Sequence, residues 1–270
     1  MNQFLPLLLA SCLFFISHSQ ITSNTYSQHA CHPDQSSALL QLRQEFIEKR
    51  ISFDHVRYFD HSDYINYYSI SYPKMKFWKS DTDCCSWDGV TCDAEIGLVI
   101  GLDLSNSWLC GSLESNSSLF SLRHLQKLNL AVNNFSSYTI PSEFGQLVSS
   151  LKQLHLSFTN FSGELPHSIG NLKFEDIRLE QQPNRMLEVL NIAKNKLNNT
   201  FPFWLESLPE LQILVLRENG FHGPIWDPHT KFGFFKLRVI CLSQNNFSSK
   251  LPTEYFKTWN AMLMGLGKNK

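Results

Sequence analysis

Apolar and polar positions along the chain fall into a phrase that repeats. Residues 190 to 225 contain it twice: Leu190, Ile192, Asn195, Leu197 and Phe201-Pro202 recur 24 positions later as Leu214, Leu216, Asn219, Phe221 and Ile225, with Gly223 where the first copy has Asn199. A constant interval of this length is the mark of a stacked repeat. Within each copy, L-x-L places two apolar side chains on one face of a short strand and turns the residue between them to the opposite face. The asparagine that follows closes the strand. Turned inward, its side chain can bond backbone groups of neighbouring coils that would otherwise be buried without partners. Gly and Pro in the tail turn the chain and begin its return, since Gly tolerates positive φ and Pro fixes φ. One such unit cannot bury its own leucines, so the pattern predicts a solenoid of mutually covering coils.

The first apolar residue of each L-x-L is Leu102, Leu128, Leu154, Leu190, Leu214 and Ile240, at intervals of 26, 26, 36, 24 and 26. Two blocks, 94–166 and 190–256, are therefore expected on either side of an irregular junction at 167–189, where register is lost and the sheet bulges or kinks. Ile177 and Leu179 could supply a degenerate coil there. A ladder asparagine stands at Asn133, Asn195, Asn219 and Asn245, whereas Ser107 and Thr159 replace it in two coils, which are expected to be looser. Ahead of the repeats, Asp34 or Ser36 can start a helix that carries Leu39, Leu42 and Phe46 on one face and lies across the open end of the leucine interior. The cap so defined spans 20–93 and includes an insertion at 51–77 with five of the eight tyrosines. Packing of those rings on the cap is favoured over an exposed binding loop. Trp78 and Trp87 are expected to pack around the cap cysteines. Residues 257–270 form a tail, and Leu251, Phe256, Trp259 and Met262 are expected to leave the last coil partly uncovered.

Composition narrows the function without naming it. A net charge of −1 with 17% charged residues gives no electrostatic reason to expect nucleic acid or an anionic membrane as partner. Residues 1–19 hold an apolar run from Phe4 to Ile16 followed by Ser17 and Ser19, the pattern of a secretory signal cleaved before Gln20. That run is too short for a membrane anchor, and no later segment is long enough to span a bilayer. Export implies an oxidising compartment. Cys31, Cys84, Cys85 and Cys92 then read as two disulfides rather than a metal site, because the spacing lacks paired C-x2-C. Cys110 and Cys241 sit in the first and last coils, roughly 24 Å apart, and cannot pair with each other. Cys241 is expected on the exposed face, open to oxidation.

No enzyme motif occurs: the chain has no G-x-S-x-G, no H-E-x-x-H and no phosphate-binding glycine loop. Nothing implies a cofactor, a metal or a catalytic residue. Recognition would use the strand face, where Asp103, Asn129, His155, Asn191, Val215 and Cys241 project together. Five N-x-S/T sequons, at Asn116, Asn134, Asn160, Asn198 and Asn246, are candidate glycan sites. Three of them follow the ladder position directly, so their side chains are expected to point outward.

These residues resemble a known group. LHLSFTNFSGELP at 154–166 and ICLSQNNFSSKLP at 240–252 are similar to the plant extracellular leucine-rich repeat, and DCCSWDGVTCD followed by VIGLDLS resembles the amino-terminal cap of plant receptor-like proteins. The resemblance covers about residues 31–260 and implies an α/β leucine-rich-repeat solenoid. Its parallel sheet would be concave, its convex side irregular or 3-10, and its cap helical. It implies pairing of Cys31 with Cys84 and of Cys85 with Cys92. It also implies a secreted or cell-surface protein of the apoplast that binds an extracellular peptide, glycan or protein in defence signalling, with a co-receptor kinase as partner. Such receptors usually carry many more repeats and a membrane helix, so the chain reads as a shortened member for which the resemblance implies binding but not signalling. A soluble inhibitor of cell-wall-degrading enzymes, similar to polygalacturonase-inhibiting proteins, is the alternative.

Overall fold

The computed structural model describes residues 30–50, 72–135, 138–170, 185–225 and 234–248. The signal-like segment, most of the insertion, the extra residues at 171–184 with Ile177 and Leu179, and the apolar residues after 250 lie outside them. One helix, α1 (Pro33–Arg50), opens the described chain. It starts earlier than Asp34 or Ser36 would set it. Pro33 takes the first position, where its missing N–H costs nothing, and Asp34 falls in the first turn, where it favours the positive end of the helix. Leu39, Leu42 and Phe46 are buried at 0%, 1% and 5% exposure, and Phe46 meets Phe135 at 6.0 Å. The helix thereby closes one end of the repeat interior.

The strands follow as β1 (Val90–Cys92), β2 (Val99–Asp103), β3 (Lys127–Asn129), β4 (Gln153–His155), β6 (Val189–Asn191), β8 (Ile213–Val215) and β10 (Val239–Cys241), adjacent in that order in one seven-stranded sheet. β1 is antiparallel and seals the edge; every later pair is parallel. The register runs Leu102–Leu128–Leu154–Leu190–Leu214–Ile240 without a slip. The long interval before Leu190 therefore puts no strand between β4 and β6 and breaks no register, because the two pair directly. The ends of its extra residues are held together: the Arg185 guanidinium donates to Gly170 O and, at 3.1 Å, to Ser207 Oγ. A short second row of pairs, β5 (Ser162–Gly163) with β7 (Lys196–Leu197) and β9 (His222–Gly223) with β11 (Asn246–Phe247), lines the flank after each main strand.

The return side consists of 3-10 turns at Ser118–Ser121, Ser142–Gln146, His167–Ile169 and Phe203–Ser207. Pro141, Pro166 and Pro202 precede the last three with φ between −59° and −79°, as the Pro-initiated return required. The phenylalanines that replace leucine have a common place. Phe135, Phe161 and Phe221 are fully buried seven positions after the first leucine of their coils, and Phe135 and Phe161 stack at 4.9 Å with planes 13° apart. A flat ring fills the space between adjacent coils and adds stacking to its burial.

The asparagine ladder is directional. Asn195 Oδ1 accepts from Thr159 N (3.3 Å), Thr159 Oγ1 (2.8 Å) and Phe161 N (3.0 Å), while Nδ2 donates to Leu156 O (2.7 Å), Ile192 O (3.0 Å) and Ala193 O (3.2 Å). Each ladder side chain thus seals the turn of the coil before it. Asn133 does the same for Ser107 N and Leu109 N. The two replacements leave no gap. Ser107 has only the cap before it and no repeat turn to seal. Thr159 is 0% exposed, and its backbone carbonyl takes over Phe135 N at 2.7 Å.

One feature of every coil recurs at the residue before the ladder position. Asn106, Val132, Phe158, Lys194, Glu218 and Gln244 all have φ between 52° and 58°. The left-handed region costs a non-glycine residue about 1–2 kcal/mol, with asparagine the best tolerated and a β-branched side chain among the worst. Val132→Asn should therefore raise unfolding stability by about 1 kcal/mol. An unchanged or lowered denaturation midpoint would count against a strained turn.

Candidate functional site

The outward positions of the main sheet form two parallel files. Asp103, Asn129, His155, Asn191, Val215 and Cys241 make one, and Gly101, Lys127, Gln153, Val189, Ile213 and Val239 the other, each residue paired in register with the next. The leucines between them point inward, and the flanking residues of β4, β6 and β8 are half-buried. All six expected face residues thus come together in one file. They do not share one role. Asp103, Asn129 and Asn191 each turn an oxygen back to accept the amide two residues on, at 2.9 to 3.1 Å, and so close the end of their own strands.

The face divides by chemistry. Over β2, β3 and β4 it is polar and encloses a depression of about 300 Å³, lined by Thr91, Asp103, Lys127, Gln153 and His155 among others. Over β6, β8 and β10 it presents Val189, Ile213, Val215 and Val239. At the polar end Lys74 Nζ stands 3.1 Å from Asp103 Oδ1 and 3.4 Å from Ser105 Oγ. Burial alone would push the Asp103 carboxyl up, but the hydrogen bonds from Ser105 and the Lys74 charge hold it below its ordinary value. Burial pushes the His155 imidazole down, against a weaker upward pull from Asp103.

Lys74 was hidden from sequence reasoning because it lies at the end of the insertion. That end belongs to the cap: Lys74–Phe77 is a 3-10 turn with Met75 buried, and the Tyr72 hydroxyl donates to the Asp88 carboxylate. The bridges Cys31–Cys84 and Cys85–Cys92 tie the same region together. Trp78 and Trp87 stack on each other at 5.3 Å, with their Nε1 donating to Asp88 O and Thr82 Oγ1. Cys110 is buried and not in a disulfide. Cys241 departs from expectation. It is only 6% exposed, so it does not stand open on the face.

The sequon asparagines lie on the flank beyond the strands or in the loop before the return turn. Asn116, Asn198 and Asn246 are exposed, while Asn134 and Asn160 are half-buried, with Asn160 Nδ2 donating to Asn134 Oδ1 at 3.3 Å.

Known proteins share this construction. The profile of the Leucine rich repeat N-terminal domain matches residues 32–52 and 69–93, and that of the Leucine Rich Repeat matches 124–147 and 150–172. Receptor-like protein 6 of Arabidopsis thaliana is 36% identical over 248 residues, which are 92% of this chain and 22% of that protein. The chain is similar to the plant leucine-rich-repeat receptor-like proteins. A second receptor-like protein, number 7 of Arabidopsis thaliana, is 44% identical over 154 residues, 57% of this chain and 13% of that protein. The chain thus spans between 13% and 22% of the length of those two relatives. Among solved structures, the BIR3–SERK2 complex from Arabidopsis thaliana aligns with a TM-score of 0.53 at 26% identity, covering 79% of this chain and 94% of the other. PEPR1–AtPEP1 aligns with a TM-score of 0.52 at 31% identity, covering 67% and 23%. Among the described residues no helix is long and apolar enough to cross a membrane.

Proposed function

We propose that the chain is an exported receptor-like protein that binds an extracellular ligand on the outward strand face, in defence perception, without chemistry of its own. The observation that carries the reading is the pair of unbroken side-chain files across six parallel strands, opening on the polar depression beside Lys74 and Asp103. Adjacent strands stand about 4.8 Å apart, so the files offer a continuous ribbon to an extended partner. Support for a second leucine-rich-repeat partner comes from the alignment with the BIR3–SERK2 complex, and support for an assembled receptor from that with PEPR1–AtPEP1. Here the partner would be a co-receptor kinase. The sequons are proposed to carry glycans along the flank, which leaves the strand face open.

The test is expression of the tagged full chain in leaf tissue, with recovery from apoplastic fluid and membranes before and after challenge with a microbial extract. Recovery of a leucine-rich-repeat kinase that increases on challenge, and is lost in a His155→Ala, Gln153→Ala variant, supports the reading. Retention of the chain inside the cell, or inhibition of a polygalacturonase without any kinase recovered, would overturn it.

A further inference from the structure

We propose that the ligand of this face is an extended peptide with an acidic side chain over Lys127 and, four residues along, an aliphatic or aromatic side chain over Ile213 and Val215. The inference rests on the strand face being the ligand site, and adds what the ligand must look like. Charge fixes the first contact. Asp103 is already met by Lys74 at 3.1 Å and by the Ser105 amide at 2.9 Å, so it has little left to offer a cation. Lys127, on the neighbouring strand, is exposed and makes no ion pair among the described residues. His155 lines the same depression, and its burial disfavours the imidazolium. The polar half therefore presents one uncompensated positive charge, whose complement is a carboxylate.

Apolar surface fixes the second contact. Val189, Ile213 and Val239 are adjacent in one file, with Val215 beside Ile213 in the other. Aliphatic side chains from neighbouring strands meet there, on a face whose first three strands carry Asp, Lys, Gln, His and Asn. A sugar ligand would find few hydrogen-bond partners over that half, whereas a peptide side chain would remove it from water.

Spacing joins the two. Three strand intervals separate β3 from β8 in the sheet order, about 14 Å at about 4.8 Å each. An extended peptide crossing the strands advances about 3.3 Å per residue and turns every second side chain to the sheet, so residues i and i+4 lie about 13 Å apart on the contacting face. The residue between, i+2, falls over Gln153, His155 and Asn191, where a small polar side chain fits.

The experiment is selection of a seven-residue phage-displayed library on the immobilised, glycosylated full chain, followed by affinity measurement of the best synthetic peptide. Enriched sequences should carry Asp or Glu four positions from Leu, Ile, Val, Phe or Tyr. Lys127→Glu should weaken that peptide by about tenfold, and replacing the peptide's acid with Lys should restore binding to the variant but not to the unaltered chain. Ile213→Thr, at a half-exposed outward position, should weaken binding without changing the effect of the charge swap. Enrichment of sequences with no such spacing, or a spaced peptide indifferent to Lys127→Glu, overturns this inference while leaving the strand face as a site. Failure to enrich any sequence overturns the peptide inference, while the strand-face reading stands or falls separately on kinase recovery with the His155→Ala, Gln153→Ala variant.

Discussion

Removal of the Cys31–Cys84 bridge by Cys31→Ala with Cys84→Ala should lower unfolding stability by about 4 kcal/mol, and removal of Cys85–Cys92 by about 2 kcal/mol. The ranking follows from loop length, since the first bridge joins residues 53 apart and the second residues 7 apart. In the chain-entropy account a longer closed loop withdraws more freedom from the unfolded state. Location reinforces it. Cys84 is 0% exposed, and Cys31 stands directly before α1, whose Leu39, Leu42 and Phe46 cover the end of the repeat interior. Without that bridge the helix loses its tether and the first coils lose their cover. Denaturant titration followed by the fluorescence of the stacked Trp78 and Trp87 would measure both losses. Equal losses, or a larger one for Cys85–Cys92, would contradict the assignment of α1 as a tethered lid on the core.

The second large effect is expected at Asn195. Its carboxamide makes six hydrogen bonds, four of them to groups of the preceding coil and two to its own turn. Asn195→Leu keeps the volume and leaves these groups buried without a partner. Each such group costs about 1–3 kcal/mol, so a total loss of at least about 3 kcal/mol is expected even after partial relaxation. Asn245→Leu should cost less, on the order of 1 kcal/mol, because Asn245 is only half-buried and water can reach the groups it leaves. Comparing the denaturation midpoints of the two variants measures the difference. Similar losses at both would mean that burial does not set the value of a ladder residue.

Much of the architecture was legible because two periods coincide in this sequence. L-x-L fixes which side of each strand is buried, and the near-constant spacing fixes which leucine pairs with which, so the row from Leu102 to Ile240 could be written down in advance. The interval before Leu190 misled for the same reason: counting along the chain registers extra residues, whereas the sheet registers only strand pairing. Gly170, Arg185 and Ser207, on either side of the extra residues, meet through contacts that have no sequence signature. The left-handed turns were illegible because the usual flag, glycine, is absent and Val132 and Phe158 stand there instead. At the site, sequence placed the outward file correctly but could not tell which of its members close their own strands. Nor could it bring Lys74 to Asp103, 29 positions away. The burial of Cys241 was missed because alternation along a strand tells which side a residue takes, not how closely its neighbours cover it.

The central claim is that each coil is sealed by the ladder residue of the coil after it, an asparagine wherever one stands there. Amide hydrogen exchange of Asn195→Leu against the unaltered chain tests this most directly, since Thr159 N and Phe161 N are the amides that Asn195 Oδ1 accepts from. Protection should fall in the peptide covering 156–163 and stay unchanged over 213–221. Loss over 213–221 with 156–163 still protected would contradict the account.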